Sequence, residues 1–214
     1  VSDGTPIGTI MLGDMDSGDA IDWTSEITSW MNGAVFTTHG PQGHRMWWTN
    51  GSVTTSIWQA PWFSSTVSSD LVNQSTALSS LGQGLLQGDE YGLWFAAKDA
   101  QAGLEMMFLS IDGTLHLYDL QPFGDSSPSQ GLSIEDGFII AAGDGTGRQL
   151  AKLDRDGGYQ WLTSMTKEGT TTPISVMAPA FGIQQLGDIL VFDVVYRGAD
   201  ATLFGYSLTT DTLQ

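Results

Sequence analysis

The feature that most constrains the fold is a set of short apolar strand pairs that recurs along the chain, with the first strand of each pair introduced by glycine. The first strand of each pair reads "GAVFTTH", "YGLWFAAK", "DGFIIAAG" or "GDILVFDVVY", and the second reads "GHRMWWTNG", "GLEMMFLSIDG", "GRQLAKLDRDG" or "ATLFGYSLTTD". Branched and aromatic side chains favour strands. Gly, Ser and Thr interrupt nearly every window that could form an apolar helical stripe. The sequence therefore predicts an all-β protein.

A turn and a third strand follow the first three strand pairs, so the pattern is a repeat. The third strands are "SVTTSIW", "TLHLYDL" and "GYQWLTS", and the turns before them contain Gly51, Gly113 and Gly157. Gly4, before the N-terminal strand, and Thr212, in the last copy, lie at the matching places. The period of roughly 45 to 60 residues is near that of propeller blades. A single meander cannot bury both faces, so the repeats are expected to stack face to face around an axis. We predict a small β-propeller, with four blades of antiparallel four-stranded meanders.

The predicted propeller occupies residues 1–214 as one domain. Its repeats span about 20–63, 64–122, 130–165 and 176–214, and the last is completed by residues 1–13. The strand "PIGTIML", after Asp3 and Gly4, has no nearby partner and is expected to close the ring as the outermost strand of the fourth blade. A fragment of a larger ring, a two-sheet sandwich and another all-β arrangement are the alternatives.

Several segments resemble known propeller repeats. "VSDGTPIGTIMLGDMDSG" and "GHRMWWTNGSVTTSIW" resemble the ELWxxDGT-type repeats of secreted and surface proteins, in which a Leu-Trp strand meets Asp-Gly-Thr and an apolar strand. "LAKLDRDGGYQWLTS" and "LFGYSLTTDTLQ" are similar to blades of quinoprotein-like propellers. The resemblance implies a propeller in a secreted or surface protein.

Charge and composition limit which partners the chain can bind and in which cellular compartment it is expected. The chain carries 24 acidic against 7 basic residues, a formal net charge of -17, which repels phosphate backbones and anionic lipid. We expect no nucleic-acid partner. No apolar run approaches the roughly 18 residues of a membrane span, so no membrane insertion is expected, and Val1 reads as a processed or trimmed end. Cysteine is absent, which excludes thiolate catalysis and disulfides but not secretion. The predicted location is extracellular or at the cell surface.

One acidic segment is a candidate calcium site. "GDMDSGDAIDW" places Asp14, Asp16, Asp19 and Asp22 close enough to supply several oxygen ligands to one ion. The order of these residues differs from that of an EF-hand loop, and a solvated acidic turn is the alternative. Calcium is the single cofactor that the sequence suggests.

Tryptophans supply the candidate ligand contacts. Trp47, Trp48, Trp58 and Trp62 crowd the first repeat, and alternation puts Trp47 and Trp48 on opposite faces of one strand. At least one of those two is expected in the core. Trp47, Trp58 and Trp62 are candidates for stacking on a sugar or contacting a protein, with packing between blades as the alternative.

No segment predicts catalytic residues. The glycines of "FIIAAGDGTGRQLAKL" lack the dinucleotide spacing and the following helix, so Asp144 and Gly145 are read as a hairpin turn. "LDRDGGYQW" resembles the Asp box of sialidases, which is itself a structural turn. His39, His44 and His116 are scattered over two repeats, and no Gly-x-Ser-x-Gly elbow is present.

The resulting functional prediction is a non-catalytic extracellular or cell-surface module for ligand binding, adhesion or assembly. A protein or carbohydrate ligand is expected at the propeller face, which is built from loops between strands and blades. One alternative is a subunit of a filament or layer, forming homo-oligomers in which residues 6–12 complete a blade of a neighbouring copy. The other is a glycan-acting, sialidase-like hydrolase, which needs paired carboxylates and converging arginines.

Overall fold

A computed structural model describes residues 20–21, 27–40, 43–59, 85–99, 102–122, 124–163, 183–194, 202–210 and 212–213. These residues form four antiparallel sheets, and no helix occurs within the described ranges. The prediction of an all-β chain built from antiparallel sheets is therefore confirmed. The predicted closing strand at residues 6–12 lies outside the described residues, and so closure of a ring stays a prediction.

The first sheet contains the first predicted strand pair. Its strands are β1 (Ala20–Ile21), β2 (Thr28–Trp30), β3 (Gly33–Gly40), β4 (Gly43–Thr49) and β5 (Thr54–Gln59). β3, β4 and β5 are adjacent in that order, and both β1 and β2 pair with β3. The predicted pair "GAVFTTH" and "GHRMWWTNG" thus forms the β3–β4 hairpin.

The other three sheets share one strand order, in which each strand pairs with the next along the chain. The second sheet contains β6 (Gln87–Gly88), β7 (Gly92–Asp99), β8 (Gly103–Ser110) and β9 (Leu115–Tyr118). The third contains β10 (Ser129–Ile134), β11 (Gly137–Gly143), β12 (Arg148–Leu153) and β13 (Tyr159–Trp161). The fourth contains β14 (Gln184–Leu186), β15 (Ile189–Val194), β16 (Thr202–Ser207) and β17 (Thr212–Leu213). Each is a four-stranded meander.

Glycines occupy the turn before the last strand of the first three sheets. Gly51, Gly113 and Gly157 have φ of 89°, 89° and 96°, a left-handed conformation that residues with a Cβ adopt at a cost. A side-chain oxygen caps two of these turns, because Asn50 Oδ1 accepts from the backbone N–H of Val53 at 2.9 Å and Asp112 Oδ1 from that of Thr114 at 2.8 Å. The recurring turn residues in the sequence thus mark equivalent points of the sheets.

The described residues divide into two compact units. Those within Val1–Ser80 and Gly88–Tyr91 belong to the first, and those within Leu81–Gln87 and Gly92–Gln214 belong to the second. In the first unit, Val35 and Met46 are fully buried, and Trp48 Nε1 donates to the carbonyl of Trp30 at 2.9 Å. A Cβ on Gly33 would lie 2.5 Å from Trp48 Nε1, so only glycine fits beneath that indole.

The second unit is built by stacking of sheets. Alternation along β11 directs Phe138, Ile140 and Ala142 into a cluster with the second sheet, whereas Ile139 and Ala141 enter a cluster with the fourth. The Trp94 ring of β7 lies against Phe138, with their centroids 5.0 Å apart. The third sheet therefore buries both of its faces, one against each neighbouring sheet.

Candidate functional site

Buried polar side chains of the second unit lie at the end of the sheets that carries the inter-sheet connections. Because successive strands run antiparallel, the hairpin between the second and third strands lies at the same end as the connection that leaves the fourth strand. In the second sheet the described part of this connection is residues 119–122 and 124–128, and in the third sheet the connection begins at Leu162. We call this end the connection end. Loops held by a rigid scaffold are a common place for binding.

A buried carboxyl group lies at the connection end of the second sheet. Glu105 on β8 is 0% exposed, and its two carboxyl oxygens accept hydrogen bonds from residues of the connection. The backbone N–H of Leu120 donates to Oε2 at 3.1 Å, and that of Ser126 donates to Oε1 at 2.9 Å. Burial raises the pKa of Glu105 to about 7 with help from Asp119, although the bonds from Ser126 and Leu120 oppose the increase.

Further bonds fix the same connection to the strands beside it. The backbone N–H of Leu104 donates to Asp125 Oδ1 at 2.9 Å, and Ser126 Oγ donates to the carbonyl of Leu104 at 3.2 Å. The backbone N–H of Gly143 donates to the carbonyl of Ser126 at 2.7 Å. The connection is thus attached, through Leu120, Asp125 and Ser126, both to β8 in the second sheet and to β11 in the third.

An uncharged residue occupies the equivalent position of the third sheet. Gln149 and Glu105 each lie two residues after the glycine of "GRQ" or "GLE", and both are buried. Thr163 Oγ1, on the connection that leaves β13, donates to Gln149 Oε1 at 2.9 Å and accepts from the backbone N–H of Leu150 at 2.9 Å. Our sequence reasoning missed both residues. The signal available was a long polar side chain at the same point of two apolar strands.

The hairpin at the connection end of the third sheet is held by its own aspartate. Asp144 Oδ1 accepts from the backbone N–H groups of Thr146 and Gly147 at 2.7 and 2.8 Å, and from Thr146 Oγ1 at 2.8 Å. Burial alone would raise the pKa of Asp144, but these bonds outweigh it, so the pKa is lowered. Since Gly145 has φ of 86° between β11 and β12, the predicted hairpin turn is confirmed.

At the opposite end, the Asp-box-like segment forms a turn that contacts the second sheet. The hydroxyl of Tyr118 donates to the carbonyl of Asp154. Burial raises the pKa of Tyr118, and the nearby carboxylates of Asp154 and Asp156 raise it further. The backbone N–H of Asp154 donates to the carbonyl of Gly158 at 2.8 Å, and Trp161 packs on the cluster that joins the second and third sheets. The segment therefore has a structural role, as an Asp box does.

The predicted ligand-binding tryptophans are only partly within the described residues. Trp47 is 8% exposed, and its Nε1 donates to Thr38 Oγ1 at 2.8 Å. The Arg45 guanidinium lies 5.9 Å from the centre of the Trp47 ring. Trp47 is thus the expected core residue of the Trp47–Trp48 pair. Trp58 belongs to β5, but its side chain and all of Trp62 lie outside the described residues, so the ligand contacts stay predictions.

The predicted metal ligands are Asp14, Asp16, Asp19 and Asp22, and all four lie outside the described residues. Within the described ranges, no group of three or more His, Asp or Glu side chains is arranged to hold a metal ion. The backbones of His39 and His44 are directly opposite each other on β3 and β4. His116 lies on β9, with its ring stacked 6.3 Å from that of Phe108. A calcium site at the four aspartates stays a prediction.

Comparison with known proteins gives no match: no protein-family model and no curated protein sequence matches this chain. Among the residues that the structure describes, no helix has the length and apolar character needed to cross a membrane.

Proposed function

We propose that the chain is a non-catalytic β-propeller module of an extracellular or cell-surface protein, and that it binds a protein or carbohydrate ligand or assembles through its loop face. The observation that carries the proposal is the stack of the second, third and fourth sheets, in which the third buries both faces. Consecutive meanders that pack face to face are what a blade array requires. A two-sheet sandwich has no sheet covered on both sides.

The connection end is the proposed binding face. Its buried polar groups are used to hold loops: Glu105 binds residues 119–128, and Gln149 contacts Thr163. The hairpin at residues 144–147 is held in the same way by Asp144. Fixed loops on a rigid scaffold lower the entropic cost of recognition, which favours binding over an undefined surface.

Ring closure by residues 6–12 is part of the proposal, with the outer edge of β16 as the proposed pairing site, and a tripeptide shared with the second sheet supports it. β17 pairs with β16 only at Tyr206 and Ser207, and no described strand pairs with the outer edge of β16 from Thr202 to Gly205. In the second sheet, Asp112-Gly113-Thr114 leads into the outer strand β9. The same tripeptide precedes "PIGTIML" in the sequence. We propose that residues 6–12 pair with this edge as an outer strand.

Cysteine cross-linking tests closure directly, because the chain has no native cysteine. Leu203→Cys on β16 is combined in turn with Ile7→Cys, Thr9→Cys or Met11→Cys, so that different strand registers are sampled. An intramolecular disulfide, seen as a faster monomer on a non-reducing gel, is the expected result. A disulfide-linked dimer indicates strand exchange and the filament alternative. Leu186→Cys on β14 replaces Leu203→Cys in the matched control. Equal cross-linking to both, or to neither, contradicts closure.

The binding role is tested separately with an array of defined glycans, with calcium or with EDTA. Retention of a glycan class without hydrolysis of a fluorogenic sialoside supports a non-catalytic module. Saturable hydrolysis supports the sialidase-like alternative. Trp58→Ala and Trp62→Ala test the predicted aromatic contacts, and Asp14→Asn with Asp16→Asn tests the calcium prediction. If EDTA abolishes binding but the Asp variants still bind, calcium acts at another site.

A further inference from the structure

We propose that Glu105 makes the connection between the second and third sheets sensitive to pH, and that Gln149 leaves the next connection insensitive. The proposal concerns residues 119–128, and it is independent of which ligand the module binds. It stands on one geometric fact: a fully buried carboxyl group is the common acceptor for two backbone N–H groups of that connection.

The surroundings of Glu105 offer its ionised form little compensation for lost water. Its opposite residue on β7 is Ala97, which carries no charge. From the connection, Asp119 acts on the Glu105 carboxyl group with a like charge, and Asp125 is bonded to the backbone N–H of the adjacent Leu104. The donors that stabilise the ionised carboxylate are therefore the hydroxyl of Ser126 and the backbone N–H groups of Ser126 and Leu120. Ionisation is expected to favour local opening of the connection, which admits water to the carboxylate.

The direction of the pH effect follows from the raised pKa. Between the ordinary value of 4.5 and the value of about 7 in the folded protein, the folded state binds more protons than the opened state. Stability from this group is therefore fully present below pH 4.5 and is lost as the pH rises through about 7. The connection is held most firmly in mildly acidic solution and opens more often in alkaline solution.

Hydrogen exchange with matched variants tests the proposal. Protection of residues 119–128, corrected for intrinsic exchange, is compared at about pH 5.5 and about pH 8 in wild type, Glu105→Gln and Gln149→Glu. We expect protection to fall at least about fivefold at the higher pH in wild type, and to change little in Glu105→Gln. Gln149→Glu is expected to create a similar pH dependence at Leu162 and Thr163. Amides of β11 other than that of Gly143, which donates to Ser126, serve as the internal control.

Two results would overturn the proposal. One is the same pH dependence in wild type and Glu105→Gln, which would assign the effect to the general acidity of the chain. The other comes from direct NMR titration of the Glu105 carboxyl group in wild type, a measurement that needs no variant to fold. Titration near the ordinary glutamate value would show that the group is ionised throughout and cannot act as the switch.

Discussion

The third and fourth sheets have the same strand order but differ in how their faces are covered. In the third sheet, residues on both faces of β11 are fully buried, because one neighbouring sheet covers each face. In the fourth sheet, Leu190 and Phe192 pack toward the third sheet, whereas Leu186 and Leu203 are 67% and 70% exposed. Alternation therefore determines which residues share a face. Whether that face becomes core depends on a neighbouring sheet, which local sequence does not encode.

The largest expected effect comes from comparing the same change, leucine to alanine, in the third sheet and in the fourth sheet. Leu150→Ala in the third sheet removes a side chain that is 0% exposed and leaves a cavity, so it should lower the free energy of unfolding by about 3 to 5 kcal/mol. Leu203→Ala in the fourth sheet removes a side chain that is 70% exposed, so the change should stay within about 0.5 kcal/mol. Denaturant titration of both variants measures the difference. A cost above about 2 kcal/mol for Leu203→Ala would show that its face is covered in solution.

A smaller effect is expected from the hydrogen bond that the Tyr118 hydroxyl of the second sheet donates to the third sheet. Tyr118→Phe removes the donor to the carbonyl of Asp154 and leaves that carbonyl without its Tyr118 bond. The expected loss is about 1 to 2 kcal/mol of unfolding free energy, measured by the same titration. Tyr159→Phe is the matched control, because Tyr159 is exposed on β13 and should tolerate the change. Equal costs for the two variants would mean that the bond to Asp154 contributes nothing.

The parts of this fold that local sequence predicts are those with a local cause. Paired apolar segments predict four hairpins, which are β3–β4, β7–β8, β11–β12 and β15–β16. The turns at Gly113 and Gly157 are predicted because glycine readily adopts the positive φ that they need. β10 was missed because "SQGLSI" is largely polar and Gln130 interrupts its regular geometry with a φ of 54°. Burial of Glu105 was missed for a different reason. It depends on a connection 15 to 21 residues further along the chain folding back over β8.

The last two expected effects concern turn glycines, and they sharpen the same contrast. Gly157 in the third sheet has φ of 96°, and a Cβ there would lie 3.0 Å from His116 Nδ1 on the second sheet. Gly157→Ala should therefore cost about 1 to 2 kcal/mol, from backbone strain and from displacement of the His116 ring. Gly187 in the fourth sheet has φ of 64° and open space around the position of a Cβ.

Asparagine tolerates the conformation of Gly187, so Gly187→Asn should change the free energy of unfolding by no more than about 0.5 kcal/mol. Thermal unfolding of the two variants checks that Gly157→Ala costs more stability than Gly187→Asn. If Gly157→Ala proved as mild as Gly187→Asn, the turn of the third sheet would not be held against the second sheet in solution. The pairing of Tyr118 with Asp154 would then have to be weak as well, because both contacts fix the same turn.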